Sequence, residues 1–444
     1  MLSKPKDYHQ MSFYSTFEEQ LNHQHPLYQL ANTINWQQFE ESFKQHYSDN
    51  TGAPAKPIRL MVSLLILKHL RNLSDESVVE QWSENAYYQY FSGEKVFASG
   101  VPCVATELVE FRKRIGEKGI ELILKESVRI NGKDSLQKEG TTDTTVQEKN
   151  ITYPTDTKLH RKIITRCKTI AARENLELRQ SYTRTIKKLL LQQRFRNHPA
   201  NRGKARKASK KIKVIAGRLV RELERKLPAV NNYLADLELF KKILSQKRED
   251  KQKIYSIHEP DVQCISKGKE HKKYEFGNKV SVLVTQKTGV IVGALSFTDN
   301  LHDSKTLNAA LNQHQRITGI EASDVYVDRG YPGPKQIRNT QIHLPKPDKT
   351  ITQSRRAKHK RRAAIEPVIG HLKHDYRMVR NFLKGSYGDA INLMMAASAM
   401  NFKRMMNLWK KGKTIFANFF NELFNPFFVF VKHGNQIQAL KTTF

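Results

Sequence analysis

Residues 140–150 read GTTDTTVQEKN, a threonine-rich stretch with one acid near its centre, and its extended character predicts a strand carrying Asp143. Two other segments set a single acid in a distinctive context. DVYVDRGYPG at 324–333 puts Asp328 at the end of a short strand-like run, and KRRAAIEPVIGHLK at 360–373 puts Glu366 on a strongly basic helix. Carboxylates fixed by strands and approached from a helix suit magnesium, which prefers oxygen ligands and keeps several waters. Two such ions about 3.5–4 Å apart stabilise the attacking and leaving oxygens of an in-line displacement at phosphorus. Asp143 and Asp328 suit bridging or single-ion roles, and Glu366 reaches toward the second ion.

The rest of the composition fits that chemistry. A chain of 444 residues has room for two or three domains with real cores. Its 76 Lys and Arg against 43 Asp and Glu leave a net charge of +33, which attracts a polyanion by counterion release. Nucleic acid is therefore the expected partner; a ribosome-associated or merely basic protein is the bland alternative, and the acidic triplet weighs against it. Cys103, Cys167 and Cys264 include no CxxC pair, so neither a zinc site nor a disulfide framework is expected. The N-terminus MLSKPKDYHQMSFYSTFEEQ lacks the apolar core of a signal peptide, and the apolar runs at 391–402 and 427–431 are too short to cross a bilayer. The expectation is a soluble cytoplasmic protein with no membrane partner.

Residues 1–135 read as an all-helical DNA-binding or dimerisation domain, with apolar residues at helical spacing in PIRLMVSLLILKHLRNLSDESVVEQW (57–82). Ser74 or Asp75 can cap the second helix of that stretch. The pair suits either a helix-turn-helix or a packing module, and Val78, Val79 and Trp82 look more like core than like base readers. From about 160 to 250 the chain is helical and basic, and 184–226 holds 16 Lys or Arg against Glu222 and Glu224. Apolar residues recur through that window (Leu189, Ile212, Ile215, Leu219, Leu223), so part of it can pack. Strands are predicted at 253–257, at 279–285 and 290–297 as a hairpin through QKTG, at ASDVYVDRG, and at IHLP. A short helix ends near His314, a long basic helix runs from 358 to 384, and an apolar helix runs from 389 to 409.

This order of elements describes an α/β protein: a ribonuclease H-like mixed sheet over 136–400 with a helical insertion, after an all-helical N-terminal domain. In such a core the first strand, the fourth strand and a late helix each carry one acid. The tail, 401–444, is rich in phenylalanine (Phe416, Phe419, Phe420, Phe424, Phe427, Phe428, Phe430) and can pack on the core or on a second subunit.

On the helix of Glu366, Arg362 lies four residues before the acid and Lys373 seven after it. At about 100° per residue all three project from one face. Arg362, Lys373, Arg377 and His359 are the candidates for contacting DNA near the scissile bond, in a window (355–384) with 10 Lys or Arg and two acids. Asp156, Asp299 and Asp303 lie in turn-like sequence and read as caps, Asp303 with His302 at a helix start. Asp375 reads as a partner for a nearby Arg or Lys, and His258 and His271 as structural.

TTDTTVQEKNITYPTDTKL (141–159), DVYVDRGYPG (324–333), RRAAIEPVIGHLKHDYRM (361–378) and KGSYGDAINLMMAASAMNFKR (384–404) resemble the catalytic segments of DDE transposases from bacterial insertion sequences, in the group named for insertion sequence five. The stretch 57–82 resembles the helical domain that precedes that core. The resemblance implies that Asp143, Asp328 and Glu366 are the DDE acids and that the cofactor is two Mg2+ ions, with Mn2+ as a substitute. It also implies that a homo-oligomer acts on double-stranded DNA, at the terminal inverted repeats and in target DNA, in association with the bacterial nucleoid. Related enzymes carry Tyr-x2-Arg-x3-Glu-x6-Lys around the last acid; Arg362, Glu366 and Lys373 match it, and His359 replaces the tyrosine. The implied reaction frees 3′ hydroxyls at the element ends and joins them to target DNA. A metal-dependent nuclease without strand transfer, and a DNA-binding protein whose acids are structural or whose catalysis has decayed, are the alternatives.

Overall fold

A computed structural model of the protein describes residues 15–48, 52, 54–247, 249–266, 272–345 and 352–439, with the side chains of residues 355 and 413–439 outside that description. His271 and the aromatic side chains from Phe416 to Phe430 thus lie outside the described residues. The N-terminal part is helical: α1 (Phe17–Gln20), α2 (Pro26–Thr33), α3 (Trp36–Lys44), α4 (Ile58–Leu70), α5 (Asp75–Glu84), α6 (Ala86–Phe91) and α7 (Ala105–Ile130). α7 is bent at Gly116, whose φ of 68° lies in the left-handed region.

α4 is buried on nearly every side, as expected of a helix that is apolar all round. The Ser74 hydroxyl accepts the Ser77 N–H at 3.0 Å and starts α5. Asp75 instead takes both guanidinium nitrogens of Arg112 at 2.8 Å and the Lys68 ammonium at 2.9 Å. Val78, Val79 and Trp82 turn into the core, which leaves Glu76, Glu80 and Glu84 on the exposed face of α5. Three glutamates at four-residue spacing repel a phosphate backbone, so the geometry fits packing better than major-groove reading.

The sheet begins with β1 (Glu139–Glu148). An excursion follows through α8 (Asp156–Arg173), α9 (Thr183–Leu191), α10 (Pro199–Lys226) and α11 (Leu234–Ser245). The chain then returns through β2 (Gln263–Ser266), β3 (Tyr274–Thr285), β4 (Ile291–Phe297), α12 (Asp303–Thr318), β5 (Asp324–Tyr326), β6 (Gln336–Ile337), β7 (Thr340–His343), α13 (Gln353–Arg362), α14 (Ile365–His374) and α15 (Gly385–Ala439). β3 is antiparallel to β1 on one edge and to β2 and β4, end to end, on the other. β1, β5 and β7 run parallel, and β6 closes the far edge antiparallel to β7. Three antiparallel strands joined to a parallel pair form the ribonuclease H-like mixed sheet. At Gly277 a Cβ would collide with the Gln147 carbonyl and the Glu148 backbone, so the close β1–β3 contact needs glycine there.

Several expectations change. Residues 253–257 form no strand, because Gln246 satisfies the Ile254 backbone by accepting its N–H at 3.0 Å and donating to its carbonyl at 3.2 Å. The basic helix predicted over 358–384 is two helices broken at Ala363 and Ala364, followed by an irregular segment after His374. Pro367 in the first turn of α14 explains the break: it lacks the N–H that a continuous helix needs and clashes with the carbonyl four residues back. α12 runs past His314 to Thr318, ending on Gly319 with φ 75°.

Two apolar cores result. One joins the N-terminal helices, the inner face of β3 to β5, α12, α14 and α15. The other belongs to the excursion, where Ile163, Ile212, Leu219, Leu223 and Phe240 face one another.

At the end of β1 the buried Lys149 ammonium meets Asp389 at 2.9 Å and Glu259 at 3.3 Å and donates to the carbonyls of Leu383 and Gly385, both at 2.9 Å. Burial pushes Asp389 up to about 6, against the pull of Lys149 and Asn381. Replacing Lys149 by Met strands two buried carboxylates and is expected to cost about 3–5 kcal/mol, read from the urea-unfolding midpoint. The folded pKa of Asp389 lies above the unfolded value of about 3.9, so stability is fullest below that value and is lost as pH rises through about 6. The deficit is therefore expected to be larger at pH 8 than at pH 5; a loss under about 1 kcal/mol at both would show that the cluster is not a buried ion pair.

Candidate active site

β1 is buried from Gly140 to Gln147 except at Asp143, where the strand opens to partial exposure. Its parallel register with β5 pairs Thr141 with Tyr326. Asp143 and Asp328 both lie two residues beyond that pair. β5 ends at Tyr326, and its pairing with β7 runs one step further through the Val327 N–H, which donates to the His343 carbonyl at 3.1 Å. Asp143 thus lies within β1 and Asp328 just past the end of the neighbouring parallel strand β5. Each carboxylate accepts the next backbone N–H, Asp143 from Thr144 at 2.7 Å and Asp328 from Arg329 at 2.6 Å, which sets its direction.

α13 runs along this face of the sheet. Lys358 donates to Glu139 at 2.6 Å, the His359 ring meets Tyr326 edge-on at 5.4 Å, and Arg362 stands 4.0 Å from Asp328. Four residues of helix rise about 6 Å, close to two residues of strand, so the helix keeps pace with β1 and β5 toward the acids. One further turn brings the chain to Glu366, exposed at the start of α14, which packs on β1. Because of the break at Ala363, Arg362 and Glu366 belong to different helices and do not share one helical face. Lys373 stays on the helix of Glu366, two turns on.

A fourth acid joins the site. Asp303, in the first turn of α12, accepts the Thr144 hydroxyl at 2.7 Å and the Lys279 ammonium at 2.9 Å, and its other oxygen lies beside Gly330. It thus bridges the strand of Asp143 to the loop of Asp328. The sequence read it only as a cap, since nothing local links DNLHDSK to Thr144, 159 residues before it in the chain. Tyr331 lies buried beneath these groups. Its hydroxyl makes no full hydrogen bond among the described residues, although Thr144 and Thr142 lie near, and burial with the charges of Asp143 and Asp303 pushes its pKa up.

The remaining candidates sit elsewhere. Arg377 donates to the Asn72 carbonyl at 3.0 Å and stands 5.8 Å over the Phe382 ring, and burial lowers its pKa. Asp375 pairs with His371 at 2.7 Å rather than with an Arg or Lys. The Ser256 hydroxyl lies 2.9 Å from His258, and His302 accepts the Ser304 N–H at the start of α12. Asp156 opens α8 and Asp299 sits in a turn. Among the described residues no group of three or more His, Cys, Asp or Glu side chains is gathered closely enough to hold a metal ion. The donors do suit one: carboxylate oxygens, partly exposed, on neighbouring chains, are hard ligands fit for a hard divalent cation.

A ribonuclease H-like mixed sheet with one acid inside its first strand, a second just past a neighbouring parallel strand and a basic helix leading to a third is the architecture of enzymes that act on nucleic-acid phosphodiesters. Residues 15–114 match the family described as a transposase domain (DUF772), and residues 249–402 match the transposase DDE domain. An uncharacterized protein of Rhizobium meliloti, ORF8 in the nfe locus, is 41% identical over 184 residues, which cover 40% of this chain and 88% of that protein. No solved structure matches the chain. The chain belongs to the DDE transposases of insertion sequences. Membership indicates an enzyme that acts on DNA and implies dependence on a divalent metal. No described helix is long and apolar enough to cross a membrane.

Removing the unpaired phenol oxygen leaves the packing of Tyr331 intact, so Tyr331→Phe is expected to change stability by less than about 1 kcal/mol. Tyr331→Ala empties a buried site and is expected to cost about 3–5 kcal/mol. Thermal unfolding of both variants checks this; a large loss for the phenylalanine would mean that the hydroxyl is bonded after all.

Proposed function

We propose that this protein cuts at the ends of an insertion sequence and joins the freed 3′ hydroxyls to target DNA, with Asp143, Asp328 and Glu366 as its metal-holding acids. The observation that carries the reading is the parallel pairing of β1, which holds Asp143, with β5, which leads into Asp328, and the approach of Arg362 at the end of α13 to 4.0 Å from Asp328, one turn ahead of Glu366. The sequence motifs support membership in the insertion sequence five group. In the first step water adds to phosphorus at the element end and the 3′ oxygen leaves with a proton. In the second that hydroxyl oxygen attacks a target phosphodiester, displacing the target's own 3′ oxygen. No protein nucleophile is needed. When bound, a pair of Mg2+ ions, or Mn2+ in their place, supplies charge stabilisation at the attacking and leaving oxygens.

The chain's own groups do the rest. Asp143 and Asp328 each have their direction set by a backbone amide bond. Asp303 and Lys279 brace the strand and loop that carry them. Arg362 and Lys373 offset the phosphate charge drawn next to the acids. Paired element ends, bearing short inverted repeats, call for at least two copies of the chain on DNA.

Asp143→Asn, Asp328→Asn and Glu366→Gln are each expected to lower cleavage of a labelled element end in magnesium by about 10³-fold or more, a loss of several kcal/mol of charge stabilisation. DNA affinity should hold or rise slightly, because a negative charge is lost from a surface that meets phosphates. Near-normal cleavage by any one variant would remove that residue from the site. Joined product with a target plasmid distinguishes a transposase from a nuclease that only cuts.

A further inference from the structure

The excursion between β1 and β2 leaves a cleft of about 770 Å³ beside α8, walled by Lys158, Arg161, Lys162 and Arg166 on one helix face and by Lys384 from the segment ahead of α15. Asp236 is the acid in its lining, and it stands 3.7 Å from Arg166. Among the described residues the other cations meet no carboxylate there: Lys158 donates to the Tyr153 carbonyl at 3.1 Å and Lys162 to the Thr152 hydroxyl at 3.2 Å. Burial and the neighbouring Lys158 lower the pKa of Lys162, as expected of cations crowded without a counter-charge. Such a surface is completed by an anion from outside the chain.

Its position and length suggest which anion. The cleft opens at Thr152, just past the end of β1, so it lies further along the strand that carries Asp143. From Lys158 to Arg166 the helix rises about 12 Å, enough to meet about two to three successive phosphates of one DNA strand, whose backbone winds around the axis and so runs longer than its rise of about 3.4 Å per nucleotide. Lys384 adds a cation on the opposite wall, in a segment anchored by the Lys149 cluster through the Leu383 and Gly385 carbonyls.

We propose that this cleft is a backbone clamp for duplex DNA, holding two to three phosphates of one strand some distance from the bond being cut. The proposal rests on the reading of the chain as a DNA-processing enzyme and adds a contact surface separate from the acids and from the basic residues of 184–226. Its contacts are to phosphate, so it positions DNA without reading sequence.

The test uses the full chain and a labelled duplex of arbitrary sequence, with affinity measured by fluorescence anisotropy between about 50 and 200 mM salt. Lys158→Gln, Arg161→Gln, Lys162→Gln and Lys384→Gln are combined in one protein, leaving Arg166 to its partner Asp236. The slope of log affinity against log salt is expected to flatten by about 2–3, with roughly 0.9 lost per phosphate contact. A control protein with Lys44→Gln, Lys118→Gln and Lys125→Gln, exposed cations of the N-terminal helices, should keep nearly the wild-type slope. A charge-keeping protein with Lys158→Arg, Lys162→Arg and Lys384→Arg should bind as wild type, which separates charge from folding. An unchanged slope for the glutamine protein, equal flattening in the control, or failure of the arginine protein would each overturn the clamp while leaving the enzyme reading standing. Failure of the wild-type chain to bind DNA at all would overturn both.

Discussion

The buried ammonium of Lys149 is the constraint on which the rest of the molecule depends. It ends the strand that carries Asp143, and through Asp389, Glu259 and the carbonyls of Leu383 and Gly385 it ties that strand end to the start of α15 and to the segment before β2. Around it Asn381 donates to Asp389 at 2.6 Å, and Gln147 donates to the Asp389 carbonyl at 3.0 Å. Asn392 donates to Gln147 at 3.0 Å and lies 3.3 Å from His69 of α4, which draws the N-terminal helices into the same network. Burying these charges is costly unless every partner is present, so the network admits one arrangement of four distant segments.

From that arrangement the acid site follows by strand geometry. Parallel pairing of β1 with β5 puts the chains of Asp143 and Asp328 side by side, and α13 advances along both strands, meeting Glu139, Tyr326 and Asp328 in turn. The substitution of His359 for the tyrosine of related signatures has a visible use: its ring packs on Tyr326, which stacks in turn on His343 at 4.8 Å. Asp303 adds a brace from the opposite side, where the end of the β3–β4 hairpin leads into α12.

Much of this was legible in the chain because it depends on local rules. The QKTG hairpin, the Ser74 cap and the strand around Asp143 are governed by turn chemistry, capping and β propensity within a few residues. What was not legible depends on partners far away. KIYSI alternates like a strand, yet Gln246 takes the hydrogen bonds that a neighbouring strand would have taken. Asp303 looks like a cap until the sheet brings Thr144 and Lys279 to it. The break ahead of Glu366 was legible in principle, since Pro367 forbids an unbroken helix, but the basic run on both sides masks it.

The central claim is that Asp143, Asp328 and Glu366 surround one metal site. The most direct measurement replaces the native ion with Fe2+ and maps where ascorbate-driven hydroxyl radicals cut the polypeptide. The account predicts cuts confined to the neighbourhoods of residues 143, 328 and 366, suppressed by excess Mg2+. Cuts that miss any of the three, or that persist unchanged in magnesium, would contradict it.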